Sequence, residues 1–271
     1  MRPPVPPPDP FLATRMIAMT DATRFFDAGD IARRFATATD RIAAAELPLP
    51  ETIAEATAVQ AAFVAPQDAT AAGYKVARSP EGVGVAGRLS PIAIAASDAP
   101  PVVFRWREGL RVEAEIGVRL ASSLPPRQNG YSRDEVIAAI AAVHLGVEVL
   151  DSRIAEGGKA PFLLFLADRL GNAGYALGPE LPRDLLHGAE GRPLEVSLGG
   201  ASLFSGEAHH PAADVLAWLI GWANEIERAE DTLAAGEIVT TGSLCGALDV
   251  ASPGRLDVKL DGRWNLPVRF E

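Results

Sequence analysis

The run Val112-Glu113-Ala114-Glu115-Ile116-Gly117-Val118 decides how the rest of the chain is read. Apolar residues at every second position mark a β-strand with one face in a core. On such a strand Val112, Ala114, Ile116 and Val118 point one way, and Glu113 and Glu115 point the other. The two carboxylates then lie roughly 6.5–7 Å apart on one face. They repel unless something positive sits between them, and a hard divalent cation suits them because Mg2+ and Mn2+ prefer carboxylate oxygens. Alternation alone routinely produces an exposed acidic face, so this pair needs company before it signifies a site.

Company comes from Glu148, a lone acid in the strand-like run His144–Leu150. An unpaired buried charge is expensive, so this carboxylate needs a partner. Periodicity alone leaves Arg153, a metal ion and water at a strand end equally good.

Outward from these strands, the pattern predicts a mixed α+β fold. A Pro-rich tail, 1–20, holds six prolines in its first ten residues and is expected to be disordered. All three methionines, Met1, Met16 and Met19, fall in this tail, so each is a possible start of the working protein. Residues 21–72 read as a helical segment: Phe25, Ile31, Phe35 and Ile42 recur at helical spacing up to Leu47, and a second helix runs from Glu51 to Val64. From Gly73 to Glu271 short β-like runs dominate, at Tyr74–Ala77, Ile92–Ala95, Val102–Trp106, Leu110–Leu120, Val147–Leu150, Leu194–Leu198, Ser202–Ser205 and Glu237–Thr241. Ser132-x-x-Glu135 predicts a capping box opening a helix that ends near Gly146. Pro211 predicts the first position of a helix continuing to Arg228. Leu256, Val258 and Leu260 alternate before Asp261-Gly262, a hairpin turn whose return strand ends at Phe270. The strands lack regular βαβ alternation, which disfavours a doubly wound sheet.

Composition narrows the function. Hydrophobic residues at 48% and charged residues at 22% are ordinary for a globular enzyme. A net charge of −10 with no basic tract argues against a duplex nucleic-acid partner. The single cysteine, Cys245, excludes an internal disulfide and fits a reducing, cytoplasmic compartment. No apolar run approaches the roughly 20 residues needed to span a bilayer.

Several motifs then fall in one order: GYKV (73–76), VEAEIGV (112–118), GVEVLDSRI (146–154), Ala167-Asp168 with NAGYALG (172–178), HPAADVLAWL (210–219) and LAAGEIVTTGS (233–243). From Glu51 to Gly254 the chain resembles the 2-keto-4-pentenoate hydratases, the hydratase/decarboxylase branch of the fumarylacetoacetate hydrolase superfamily. The resemblance implies a mixed β-roll, 73–271, with a metal site at its mouth. Its metal carboxylates match Glu113, Glu115 and Glu148, holding Mg2+ or Mn2+. Its active-site lysine matches Lys75, which would reach the substrate carboxylate or move a proton. Asp168 matches an acidic loop position, and Gly242-Ser243 a glycine–hydroxyl pair facing the bound acid.

The implied reaction is addition of water to a 2-hydroxy-2,4-dienoate, giving a 4-hydroxy-2-oxo acid in aromatic-compound catabolism. A 2-oxo acid chelates one ion through its keto oxygen and a carboxylate oxygen, which stabilises its enolate. The same chemistry serves a 4-oxalocrotonate-like decarboxylase, and a non-catalytic partner subunit of such an enzyme is a further alternative. The resemblance also implies a homo-oligomer and a complex with a related decarboxylase. Acylpyruvate hydrolases of the superfamily carry Asp at the third metal position and a His–Glu pair in an early lid. Here Glu148 stands at that position and the first histidine is His144, which disfavours hydrolysis.

Two departures touch the substrate pocket. The segment Arg78–Gly87 is shorter than the family's loop and lacks its D-x-x-D-F-G-like pattern. Arg169-Leu170-Gly171 follows Asp168 where the family has Asn and a serine. Arg78 or Arg169 would recognise a second carboxylate, or else is simply exposed. Arg153 is expected to orient Asp151 or Glu148, His209 and His210 to be structural, and Trp218 and Trp222 to lie in core or subunit interface. Cys245 lacks a positioned base for nucleophilic chemistry.

Overall fold

The computed structural model describes residues 26–64, 73–95, 99–229 and 232–271. The Pro-rich tail and its possible starts lie outside the described residues. Thirteen strands are present among them: β1 Gly73–Arg78, β2 Gly84–Arg88, β3 Ile92–Ile94, β4 Val102–Phe104, β5 Arg111–Leu120, β6 Ile140–Leu150, β7 Asn172–Leu181, β8 Pro193–Leu198, β9 Ala201–Glu207, β10 Ile238–Ser243, β11 Leu248–Asp249, β12 Gly254–Leu260 and β13 Trp264–Phe270. The helices are α1 Ala28–Thr37, α2 Ile53–Val64, α3 Arg133–Ala138, α4 Phe162–Ala167, α5 Leu185–Gly188 and α6 Ala217–Ala223.

Two mixed sheets result, as the α+β reading requires. The larger runs β2-β1-β10-β5-β6-β7-β3, with β11 added beside β5. The smaller runs β4-β13-β12-β8-β9. Alternation explains their packing. Val112, Ala114, Ile116 and Val118 of β5 and Val143, Leu145, Val147 and Val149 of β6 share one core with Leu256, Val258, Leu266, Val268 and Phe270 of the smaller sheet. Each fully buried aliphatic side chain contributes about 1.5–3 kcal/mol, so this seam fixes the register of the central strands.

The opposite face of β5 and β6 therefore turns away from the smaller sheet, and the glutamates go with it. A second core borders that side. In it Ile31 and Phe35 of α1, Ala56, Val59 and Phe63 of α2, and Leu164 and Leu166 of α4 pack with Val85 of β2. Gln60 ties this layer to the sheet, donating to the Ala86 and Leu166 carbonyls and accepting from the Arg88 amide.

Several elements are shorter or longer than periodicity predicts. The expected helix up to Leu47 ends at Thr37, and a 3-10 turn occupies Ala44–Glu46. Ile42 instead pairs with Ile154 as a β-bridge, so a tertiary contact overrides helical spacing. The capping box at Ser132 and Glu135 is present, yet α3 stops at Ala138 and Ile140 already begins β6. Pairing with β5 from Arg111↔Leu150 to Leu120↔Ile140 claims residues that the pattern assigned to the helix. The helix expected from Pro211 to Arg228 spans only Ala217–Ala223; Ala213 adopts φ 51 and Asp214 is held by Arg133. The segment Arg78–Gly87, read as a loop, is instead the turn and second strand of a β1–β2 hairpin.

Candidate metal and substrate site

Sheet order brings the chemistry-bearing residues into one row. Lys75 on β1 pairs with Thr240 on β10, and Ser243 on β10 pairs with Glu115 on β5. Glu113 on β5 lies directly opposite Glu148 on β6, which lies opposite Tyr175 on β7. A cross-strand pair of like charges is destabilising unless a cation intervenes. Ligand oxygens of Glu113, Glu115 and Glu148 all lie within 4.8 Å of one another.

Lys75 supplies part of the compensation. Its Nζ is 2.8 Å from Glu148 Oε2 and 3.9 Å from Glu113 Oε2. Burial works against the ammonium, but Glu148, Glu113 and Glu115 outweigh it and push its pKa up to about 12. Glu115 and Glu148 are almost fully buried, whereas the side chain of Glu113 keeps 18% of its exposure. Burial raises the pKa of Glu115 well above the carboxylate range, and repulsion from Glu148 and Glu113 adds to it. Burial likewise raises Glu148, against the opposing pull of Lys75.

Charge arithmetic shows what the cluster lacks. Once all three carboxyls are ionised, as ligands to a metal must be, the Lys75 ammonium leaves a net −2, and an uncompensated buried ion costs several kcal/mol. A divalent cation among the three supplies the missing two charges, and carboxylate oxygens are the donors Mg2+ and Mn2+ take. The residues present fit such an ion.

Neighbours hold the carboxylates in place. Asn172 Nδ2 donates to Glu148 Oε1 at 2.9 Å, while its Oδ1 accepts from the Ser90 amide. The Thr240 hydroxyl donates to Glu115. Tyr175 fills the space above Gly117 and Gly146, where a Cβ on Gly146 would come within 1.8 Å of the hydroxyl oxygen. Burial, then Glu115, raises the pKa of that phenol. Sequence reasoning missed Asn172, Thr240 and Tyr175. Both Asn172 and Tyr175 lie in the quoted NAGYALG run, but their strand, β7, was not foreseen. The available signal was the presence of a bare glycine beside the acids in each motif, Gly117 after Glu115 and Gly146 before Glu148.

Other candidates fall elsewhere. Asp168 is buried, and Ser152 Oγ, the Arg153 amide and Arg153 Nη1 donate to its carboxylate at 2.7, 2.9 and 2.9 Å. Those partners commit both oxygens to holding the β6–α4 connection. Arg153 thus pairs with Asp168 and not with the expected Asp151 or Glu148. Arg78 is exposed on the face of β1 opposite Lys75 and donates to the Gly82 carbonyl, so the structure does not bring it to the cluster. Arg169, which exposure would have made a surface residue, is 2% exposed. It donates to the Ser90 carbonyl and lies over the Phe63 ring, and burial lowers its pKa to about 9.

Gly242 adopts φ 122, and a Cβ there would strike His210 and Trp218. Ser243 donates to the Gly246 carbonyl, which turns its hydroxyl into the β10–β11 turn. His210 is buried against Trp218 with a ring nitrogen 2.8 Å from the Thr241 carbonyl. Trp222 packs on Tyr74 in the core. Burial raises the pKa of the Cys245 thiol, which leaves it a poor nucleophile.

The model of the fumarylacetoacetate (FAA) hydrolase C-terminal family matches residues 47–262. The chain belongs to this family. The family match covers the whole of the larger sheet, every strand of the smaller one except β13, and all the cluster residues. Among curated relatives, 2-keto-4-pentenoate hydratase 1 of Dechloromonas aromatica (strain RCB) is 28% identical over 160 residues, 59% of this chain and 60% of the relative. The 2-hydroxyhexa-2,4-dienoate hydratase of Comamonas testosteroni is 28% identical over 164 residues, with the same coverage. The chain thus spans about 60% of the length of these curated relatives. The solved 4-oxalocrotonate decarboxylase from Pseudomonas putida G7, complexed with magnesium and adipate, superposes with a TM-score of 0.73 at 22% identity, covering 90% of this chain and 97% of that one. At that identity the likeness shows a shared fold.

Proposed function

We propose that this family member is a metal-dependent hydratase that adds water to a 2-hydroxy-2,4-dienoate to give a 4-hydroxy-2-oxo acid. The observation carrying the reading is the buried cluster of Glu113, Glu115 and Glu148 around Lys75. The hydratase names of the curated relatives support the same reaction class.

Glu113, Glu115 and Glu148 would hold the ion, with Thr240 and Asn172 fixing two of them. A divalent ion bound there supplies positive charge that stabilises the enolate of a chelating 2-oxo acid. Lys75, a firm cation beside these carboxylates, is suited to bind the substrate carboxylate or to give a proton. In the net change the dienol loses its 2-hydroxyl proton and gains one at C5. Hydroxide then adds at C4 and a proton at C3, so one water is consumed. Asp168, fully engaged by Ser152 and Arg153, shapes the wall beside this chemistry.

Supplying 2-hydroxypenta-2,4-dienoate with Mg2+ or Mn2+ tests the proposal. Loss of the dienol chromophore with formation of 4-hydroxy-2-oxopentanoate is expected, and at least a hundredfold drop in the Glu113→Ala, Glu115→Ala double variant. Full metal-dependent turnover in that variant would overturn it.

A further inference from the structure

Tyr175 is fully buried, and its hydroxyl makes no hydrogen bond of proper geometry with any described residue. A buried donor left idle costs stability, and a phenylalanine would fill the same space without that cost. The strands nevertheless make room for the hydroxyl. It stands 1.8 Å from where a Cβ on Gly146 would lie and 2.6 Å from where one on Gly117 would lie. Neither position can carry a side chain while the phenol keeps its place.

Strand register identifies what the hydroxyl faces. Tyr175 on β7 is the cross-strand partner of Glu148 on β6, so both side chains rise from the same face of the sheet. From there the ring reaches over β6 toward β5, and the hydroxyl ends above Gly146 and Gly117. Gly146 is the cross-strand partner of Glu115, and Gly117 is that of Thr240. The hydroxyl therefore fills the places beside Glu115 and Thr240, where directly opposed side chains start only roughly 4.5–5.5 Å apart. Thr240 lies within reach of the phenol but already gives its own proton to Glu115. Tyr175 thus carries a second donor beside that carboxylate. A carboxylate that ligates an ion is ionised and only accepts, at about four lone-pair sites, so an ion and Thr240 leave room for this donor.

We propose that Tyr175 is a positioning residue of the ion site: its phenol donates to Glu115 when that carboxylate ligates a divalent ion, and so adds to the affinity for the ion. The proposal rests on the metal reading of Glu113, Glu115 and Glu148 and deepens it. Donors that orient ligating groups carry roughly 10–100-fold of metal affinity. A ring that only filled space would leave its hydroxyl as idle with the ion bound as without it.

Wild type and Tyr175→Phe, both as full chains, test this. In calorimetric titration of chelated protein the variant should bind Mg2+ about tenfold or more weakly. In thermal unfolding with chelator the variant should be no less stable than wild type, because the hydroxyl has no partner to lose there. Saturating Mg2+ should red-shift a tyrosine band in the near-ultraviolet difference spectrum of wild type, as a phenol does on donating to a carboxylate, and the variant should lack that shift. Equal affinities overturn the proposal, as does a wild-type spectrum without the shift. A variant that melts markedly lower in chelator overturns it too, by showing the hydroxyl partnered without the ion. Wild type that takes up no Mg2+ overturns the metal reading itself, and the role of Tyr175 with it.

Discussion

Lys75 is the one ion-pair partner of the glutamate cluster among the described residues, and its removal exposes what the cluster costs. Lys75→Met leaves Glu148 buried and unpaired, for which a loss of about 3–5 kcal/mol is expected in metal-free protein. Thermal unfolding in chelator reads this loss, and added Mg2+ should restore a large part of it through the same carboxylates. No difference between the melts with and without Mg2+ would contradict the assignment. Thr240→Val removes the hydroxyl that donates to Glu115. Metal affinity should fall roughly 10–100-fold while the fold persists, because groups that orient ligands act through them. At this scale the sequence was legible where alternation placed Glu113 and Glu115 on one face. It was not legible at Arg169, because nothing local announces that Phe63 from α2 and Ser90 would enclose a guanidinium.

Elements set the geometry that residues alone do not. The β5–β6 pair juxtaposes Glu113 and Glu148 only while Gly117 and Gly146 stay bare for Tyr175. Gly146→Ala forces that ring or its strand to move and should cost about 1–3 kcal/mol as an overpacked site. Chemical denaturation measures it, and a smaller penalty in a Tyr175→Phe background would tie the cost to the hydroxyl. At α3, Arg127 first, then the Ser132 amide and hydroxyl, hold the Glu135 carboxyl down at about 2 against its ordinary 4.5. A depressed carboxyl contributes stability that is complete above about pH 4.5 and is lost as pH falls through about 2. The stability gap between wild type and Glu135→Ala should therefore close over that window, and a gap constant with pH would contradict the capping account. The capping box itself was readable from Ser132-x-x-Glu135, but the length of α3 was not. Ile140 onward fits a helix by period and a strand by partner, and only β5 decides between them.

Across the whole molecule, two sheets share one apolar core and leave the reverse face of the larger sheet for chemistry. The helices bearing Phe35 and Phe63 border that face and enclose its flank. Motif order made the α+β fold and the family legible, since every motif but HPAADVLAWL, which leads into α6, includes strand residues. The central claim is that three glutamates converge to hold a divalent ion together with a 2-oxo acid. Isothermal titration of the chelated full chain with Mg2+ and Mn2+, with and without oxalate, tests it most directly. The account predicts metal binding that tightens with oxalate and disappears in Glu148→Ala; metal uptake that is absent, or unchanged in that variant, would contradict it.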